Sequence, residues 1–210
     1  QAHCRFDAIS RTDGVYSISE YACEGCGVCA HVCPRNAIRL APDTAGRKEL
    51  YTDGGVFSTA VLKMGRGNSG KLVTEVKMAM LKHAPETDLA IVDGSPGIGC
   101  PVISSVSGMD LVLVVAEPSR SGLSDLERLV KTAETFQTKL AVCVNKWDVS
   151  PEYTRAIQEF CEKKGIPFAG TVPYDHHALE AINQGKSLAD IDCPARDALK
   201  KIFDTVCRLL

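Results

Sequence analysis

The feature that most constrains this chain is a run of closely spaced cysteines, CEGCGVCAHVCP, near its beginning. Two, two and three residues separate its four cysteines, which are Cys23, Cys26, Cys29 and Cys33. Such short spacing wraps several thiolates around one face of a compact cluster, and it is typical of a 4Fe-4S site. A zinc site, the alternative, usually takes two separated pairs of cysteines. The run therefore predicts an iron–sulfur cluster.

An internal repeat adds a fifth cysteine to the candidate ligands. CRFDAI (4–9) and CPRNAI (33–38) share the pattern C-x3-A-I. Ferredoxins with two clusters contain such a repeat, and the fourth cysteine of each motif then serves the other cluster. Cys4 is thus the counterpart of Cys33. The favoured ligand set consists of Cys4, Cys23, Cys26 and Cys29.

The alternative is a single cluster held by the run itself, with Cys33 as the fourth ligand. In the favoured arrangement Cys33 is left as an orphan ligand of another cluster. The three cysteines that would precede Cys4 in a complete first motif are absent from the sequence. We therefore expect the chain to be truncated at its N-terminus.

From residue 69 onward the pattern alternates between short apolar runs and amphipathic helices. Runs without polar alternation are typical of parallel strands covered on both faces. This series predicts an α/β domain with a doubly wound, mainly parallel sheet over residues 51–210. Residues 1–50 contain few apolar side chains and predict a small ferredoxin-like iron–sulfur domain. The predicted strands lie at 89–93, 111–116, 140–145 and 167–173, with a possible further strand at 56–64.

The residues that follow the strands are the candidates for ligand binding, because ligands of such sheets bind beyond the carboxyl ends of the strands. LAIVDGSPGIG ends an apolar run in Asp93, the pattern of a Walker B carboxylate that reaches Mg²⁺. Gly97 would then present its amide to a γ-phosphate. The alternative for this stretch is an ordinary β-turn.

A second strand-end motif is VCVNKWD, which contains Asn145, Lys146 and Asp148. N-K-x-D is the guanine-reading motif of GTPases. The alternative is a helix N-cap aspartate. The last apolar run ends in VPYD (172–175), a second loop that would form a wall beside a base.

The stretch GRGNSGKL (65–72) is one residue away from the phosphate-loop pattern G-x-x-x-x-G-K-[ST]. Leu72 stands where a hydroxyl would hold Mg²⁺. One interpretation is a phosphate loop that lacks this hydroxyl. The other is the start of a helix, capped by Asn68 or Ser69, with Leu72 in the core.

Taken in order, these motifs resemble one family over essentially the whole chain. CEGCGVCAHVCPRNAI, GNSGKLV, IVDGSPGIGCPVI, AEPSRSGLSDL and VNKWD resemble the MinD/ParA-type ATPases with an inserted ferredoxin domain. The resemblance implies a P-loop NTPase fold and ATP hydrolysis coupled to iron–sulfur chemistry. It implies that Asp93 is the Walker B carboxylate and Gly97 the switch glycine. It also implies that Asn145 contacts adenine and that Pro173 lies on the neighbouring base-side loop.

The sequence departs from the family in its phosphate loop. The family's Walker A loop, K-G-G-x-G-K-T, precedes the ferredoxin insert, and no such loop occurs here. Whether this chain by itself hydrolyses ATP is therefore left open. In the family, N-S-G-K-L-V begins a helix where the nucleotide domain resumes, which favours the helix interpretation of 65–72.

These features lead to one functional hypothesis and two alternatives. The hypothesis is an iron–sulfur ATPase-family protein whose nucleotide state gates electron transfer or cluster delivery. Its cofactors would be a 4Fe-4S cluster, ATP and Mg²⁺, and its partners a redox protein or an iron–sulfur apoprotein. A homodimer is expected for the full-length form. The alternatives are a non-catalytic electron carrier of the ferredoxin type and a GTP-binding switch.

Composition excludes several other classes. The net charge is −2 and no run of Lys or Arg stands out, so we expect no nucleic-acid partner. No apolar stretch approaches the roughly 18 residues that a membrane span requires. The chain contains ten cysteines but long apolar segments rather than a disulfide framework. Cysteines used as metal ligands predict a reducing, cytoplasmic location.

Overall fold

The computed structural model describes residues 1–67, 69–84 and 86–210. The chain divides into two units, Gln1–Val92 and Asp93–Leu210. The predicted domain boundary between residues 50 and 51 falls inside a strand of the first unit. The division into domains 1–50 and 51–210 stays a prediction.

The first unit begins with a short antiparallel hairpin. Its strands are β1 (Ile9–Thr12) and β2 (Val15–Ile18). Asp13 and Gly14 connect them with positive φ values of 53° and 83°. A two-residue hairpin turn requires such values, and an Asp-Gly pair readily adopts them. One helical turn, α1 (Val28–His31), follows inside the cysteine run.

A second hairpin and a long helix complete the first unit. Strand β3 (Gly46–Tyr51) pairs antiparallel with β4 (Phe57–Leu62), which confirms the possible strand at 56–64. Helix α2 (Ser69–His83) packs against β4. The hydroxyl of Ser58 donates a hydrogen bond to the carbonyl oxygen of Val76 at 2.9 Å, which links the strand to the helix.

The second unit is built on a three-stranded parallel sheet. Its order is β5 (Leu111–Ala116), β6 (Lys139–Asn145) and β7 (Phe168–Val172), with β6 in the centre. Three of the predicted strands are therefore confirmed, with small shifts at their ends.

The predicted strand at 89–93 is not formed, and that prediction was wrong. These residues are irregular, and Ile91 is 76 % exposed. Apolar, β-branched composition does not make a strand unless its N–H and C=O groups pair with a neighbour. Among the described residues, none forms a ladder with this run.

Helices accompany the sheet, and ordinary cap signals define several of their ends. Ser119 and Ser150 cap two helix N-termini, and Gly165, with φ of 66°, ends one helix. No helix in the described part of the chain is both long and apolar enough to cross a bilayer. The helices are α3 (Cys100–Val106), α4 (Arg120–Thr135), α5 (Pro151–Lys164), α6 (His176–Asn183) and α7 (Pro194–Leu209).

The core lies on both faces of β6. Val142 and Val144 belong to one buried cluster, together with side chains of α4 and α5. Ala141 and Cys143 point to the other face and belong to a cluster with α7. Successive side chains of a strand point to opposite faces, so helices on both sides require apolar residues at every position. The absence of polar alternation in β6 is thereby explained.

We predict that Leu126→Ala in α4 lowers the free energy of unfolding of the second unit by about 2–5 kcal/mol. Leu126 is 2 % exposed, so the change leaves a cavity in the core. The matched control is Leu179→Ala in α6, where the leucine is 54 % exposed. We expect this control to change stability by no more than about 0.5 kcal/mol. Urea unfolding measures both, and equal effects would contradict the assignment of Leu126 to the core.

Candidate iron–sulfur centre and strand-end site

Four cysteines line one cavity of the first unit, which contains about 390 Å³ of empty space, part of it open to solvent. The rest of the wall is largely apolar and includes Phe6, Ile9, Ile18 and Leu40. Thiolate ligands backed by an apolar shell suit an iron–sulfur cluster, because burial and thiolate ligation set its potential. The cysteines are Cys4, Cys23, Cys26 and Cys29.

Two glycines shape the backbone that carries three of these thiols. Gly25 and Gly27 have φ values of 63° and 77°, in the left-handed region that other residues rarely adopt. In the described residues, no three Cys, His, Asp or Glu side chains already converge on one metal position. Each cysteine of a 4Fe-4S cluster binds a different iron atom, so the four thiols need to surround the cavity and not to meet at one position.

Cys33 is not among the residues that line this cavity. The N–H of Ala37 donates to the Sγ of Cys33 at 3.4 Å. This N–H and that of Arg35 stabilise the thiolate and lower the pKa of Cys33 below its ordinary value. The structure thus separates Cys33 from the four cavity cysteines and gives it a hydrogen-bonding environment of its own.

The sequence repeat is also present in the backbone. Asp7 and Asn36 occupy equivalent positions and both adopt left-handed φ values, 49° and 48°. The N–H groups of Cys4 and Cys33 each donate to the carbonyl oxygen three residues earlier, at 2.9 and 3.4 Å. Cys4 is therefore the structural counterpart of Cys33, which supports the favoured ligand set.

Acidic side chains surround part of the stretch 65–72. The guanidinium group of Arg66 forms ion pairs with Glu20 at 3.1 Å and with Asp43 at 3.3 Å. Gly67 lies so close to the carboxylate of Glu24 that a side chain at this position would collide with it. The charge of Arg66 offsets Glu20 and Asp43, but the carboxylate of Glu24 lies at the backbone of Gly67 and would repel a phosphate bound there, which disfavours a phosphate loop.

Helix α2 begins at Ser69 and Leu72 is half-buried on it, which favours the helix interpretation of this stretch. Ser69 is the first helical residue, so it does not occupy the cap position that precedes the helix. Asn68, the other predicted cap, lies outside the described residues.

In the second unit, the register of the sheet brings two predicted base-contacting residues together. Asn145, the last residue of β6, is paired with Val172, the last residue of β7. Pro173 directly follows Val172 and leaves the sheet beside Asn145. Both residues therefore lie at the carboxyl edge of the sheet, where ligands of this fold class bind.

Two side-chain contacts join the loops at this edge. The Nζ of Lys146 lies 2.8 Å from the Oε1 of Glu117, just after β5, and this carboxylate raises the pKa of Lys146. The Oδ1 of Asp148 accepts a hydrogen bond from the N–H of Tyr174, just after β7, at 2.8 Å. Sequence reasoning missed Glu117 and Tyr174, although their positions directly after predicted strands could have indicated them.

Asp175 anchors the loop that follows β7, and its side chain is 6 % exposed. Its Oδ1 accepts the N–H of His177 at 3.0 Å and caps α6. Its Oδ2 accepts the N–H of Ala195, at the start of α7, at 3.1 Å. These contacts, led by the Ala195 amide, stabilise the carboxylate and lower the pKa of Asp175 from 3.8 to about 2.

Asp93 and Gly97 lie in the irregular stretch before α3. Asp93 is exposed, and Gly97 has a φ of 89°. Across the described ranges, no hydrogen bond or ion pair joins either residue to Asn145 or Pro173. Their assignment to Mg²⁺ and to the γ-phosphate stays a prediction.

Comparison with known proteins supplies a family context for the first unit. A family described as "4Fe-4S binding domain" matches residues 16–39. This segment contains Cys23, Cys26, Cys29 and Cys33 but not Cys4.

Relatives extend the similarity along the chain. The "Uncharacterized protein MJ0578" of Methanocaldococcus jannaschii is 29% identical over 203 residues, 96% of this chain and 67% of the relative. The septum site-determining protein MinD of Helicobacter pylori is 26% identical, and the alignment covers 73% of this chain and 62% of that protein. An iron-sulfur cluster carrier protein of Methanococcus maripaludis is 26% identical, and the alignment covers 58% of this chain and 46% of that relative. The chain thus spans between about half and two thirds of these relatives.

One solved structure is similar to this chain in fold. The Pyrococcus furiosus cell division ATPase MinD superposes with a TM-score of 0.57 at 18% identity, covering 68% of this chain and 60% of that one. At this level of identity the likeness concerns the fold alone. It agrees with the doubly covered parallel sheet described above.

We predict that acid weakens the second unit through Asp175. The pKa of Asp175 is about 2 in the folded protein, against an ordinary value of 3.8. The ionised carboxylate therefore stabilises the fold at pH values above 3.8. That contribution is lost as the pH falls from 3.8 toward 2. Asp175→Asn should therefore lower the melting temperature by a few degrees near neutral pH and flatten its decline in acid.

The control for Asp175→Asn is Asp204→Asn, which changes an exposed carboxylate of α7. Melting temperatures of the wild type and both variants, followed by circular dichroism from about pH 7 to about pH 2, test the prediction. If the profile of Asp175→Asn runs parallel to that of the wild type, the role of Asp175 is wrong.

Proposed function

We propose that this chain, a MinD-like P-loop ATPase-family protein with a ferredoxin-type 4Fe-4S domain, uses the nucleotide state of its α/β unit to gate an iron–sulfur cluster in its first unit. The observation that carries the proposal is the cavity whose walls contain four cysteines and an apolar lining. A cluster bound there would supply one-electron redox chemistry.

The proposed ligands are the four cavity cysteines, with Cys4 rather than Cys33 completing the set. Three observations support this choice. Cys4 lines the same cavity as the three cysteines of the run, whereas Cys33 does not. Cys4 is the counterpart of Cys33 in a repeat that the backbone preserves. In two-cluster ferredoxins the fourth cysteine of a motif serves the other cluster.

The proposed nucleotide is ATP, bound at the carboxyl edge of the β5–β6–β7 sheet. Asn145 would contact the adenine, and Pro173 would lie beside it, since sheet register makes the two neighbours. Asp93 would hold Mg²⁺ and Gly97 would direct its amide to the γ-phosphate, as the family resemblance implies. Hydrolysis also requires a phosphate cradle, for which the carboxylate of Glu24 beside Gly67 makes 65–72 unsuitable. ATP hydrolysis by a homodimer is accordingly part of the proposal for the whole protein.

The cluster has two possible uses, each favoured by a separate observation. A complete set of four thiols favours a resident cluster that transfers electrons to a redox partner. The relatives named iron-sulfur cluster carrier protein favour delivery to an apoprotein. Loss of iron to an added apoprotein would select delivery, whereas oxidation of a retained, reduced cluster would select electron transfer. All ten cysteines are free, which suits a reducing cytoplasm.

We predict that Cys4→Ser removes most of the iron and sulfide from the anaerobically reconstituted protein, because it removes one of four thiolate ligands. Cys33→Ser should retain the cluster. The control is Cys207→Ser, which changes an exposed cysteine of α7. Iron and sulfide analysis and the EPR spectrum of the reduced cluster measure the outcome. Loss of the cluster in Cys33→Ser but not in Cys4→Ser would move the fourth ligand to Cys33.

We predict that the protein with Mg²⁺ prefers ATP to GTP in calorimetric titrations and that Asn145→Ala weakens ATP binding about tenfold, the cost of one hydrogen bond to the base. Asn183→Ala, in the last turn of α6, is the matched control. Lys71→Ala should leave the affinity unchanged if 65–72 starts a helix.

Each result that contradicts this prediction would support one of the alternative hypotheses. A preference for GTP would support the GTP-binding switch, and loss of binding in Lys71→Ala would make 65–72 the phosphate loop. A bound cluster without nucleotide binding would support the non-catalytic electron carrier.

A further inference from the structure

Asp148 ends the motif N-K-x-D, and its carboxylate is already engaged within the protein. The Oδ1 of Asp148 accepts the backbone N–H of Tyr174 at 2.8 Å. This bond crosses from the loop after β6 to the loop after β7, between residues that are 26 positions apart. It is thus a bridge between the two loops that carry Asn145 and Pro173.

The loop that carries Asp148 is fixed by its own hydrogen bonds. Lys146 adopts a left-handed φ of 54°, and the N–H of Val149 donates to its carbonyl oxygen at 3.0 Å, which closes a tight turn. The hydroxyl of Thr154, a buried residue of α5, donates to the carbonyl oxygen of Trp147 at 2.9 Å. Asp148 therefore lies in a loop that these two hydrogen bonds hold in place.

The other end of the bridge is fixed as well. Asp175 follows Tyr174 directly and binds the amides at the starts of α6 and α7. The peptide of Tyr174 is thus held by Asp148 on one side, while the next residue is held by two helix N-termini. Pro173 lies immediately before this held segment and directly after Val172, the residue paired with Asn145.

We propose that Asp148 is a positioning residue, which sets the spacing between Asn145 and Pro173 and does not itself read the base. The inference rests on the proposed function in that it places the base between these two residues. A carboxylate that reads guanine accepts two N–H groups of the base with its two oxygens. Here the N–H of Tyr174 takes one acceptor site of Oδ1 and ties the carboxylate to the loop after β7, which is the contact by which the N-K-x-D pattern in this chain serves loop geometry.

Two variants separate the roles of the acceptor atom and the charge. Asp148→Asn keeps an Oδ1 acceptor for the Tyr174 amide, whereas Asp148→Ala removes it. Asp204→Ala and Asp204→Asn, on exposed α7 positions, are the matched controls. In nucleotide-free protein, amide hydrogen exchange of Tyr174 should be about tenfold faster in Asp148→Ala and close to wild type in Asp148→Asn.

Titrations with ATP, GTP and XTP give a readout that a purely structural role would not change. The side chain of Asn can donate to the 2-carbonyl group of xanthine, so a guanine-reading Asp148 would make Asp148→Asn lose GTP and gain XTP. A positioning Asp148 predicts instead that Asp148→Asn keeps the preference for ATP, while Asp148→Ala loses ATP affinity about tenfold.

The outcomes distinguish this inference from the function on which it rests. Nucleotide binding together with unchanged Tyr174 exchange in Asp148→Ala, or a switch to XTP in Asp148→Asn, would overturn the positioning role alone. If the wild type binds none of the three nucleotides, the proposed nucleotide site fails, and the positioning role fails with it.

Discussion

Strand β6 is hydrogen-bonded to a neighbour on both sides, and the strand-end site depends on this parallel ladder. Its register aligns the ends of β6 and β7, so that Asn145 and Pro173 leave the sheet side by side. The same strand buries side chains on both faces. One face is covered by α4 and α5, which connect the strands, and the other by α7, which follows the last strand. The loops therefore meet at one edge because the backbone ladder and the two cores leave no other arrangement.

The first unit is held together by different means. Its buried apolar side chains, among the residues that the structure describes, are Ala8 and Ile9. So small an apolar core contributes little to stability, and small domains of this kind commonly depend on a metal site. The proposed cluster would thus stabilise the unit as well as supply its redox chemistry. This explains why apolar side chains next to the hairpin face the cysteines rather than a separate core.

Local charge distinguishes two stretches that both resemble parts of a nucleotide site. Around 65–72, Glu20, Asp43 and Glu24 place carboxylates near the backbone that would have to receive a phosphate. At the strand ends, the carboxylates of Asp148 and Asp175 are instead occupied by backbone amides. These bonds to backbone amides fix the geometry of the loop edge before any ligand binds.

Sequence by itself determined the features that depend on near neighbours: the cysteine spacing, the apolar strands β5 to β7, and the strand-end positions of Asn145 and Pro173. Tertiary structure decided the features that depend on distant partners. It placed Cys4 and not Cys33 in the cavity, left 89–93 without a strand neighbour among the described residues, and joined Asp148 to Tyr174. The physical reason is that composition and periodicity report which residues can be buried or form a strand, whereas a hydrogen-bond partner or a shared cavity exists only once distant segments have packed together.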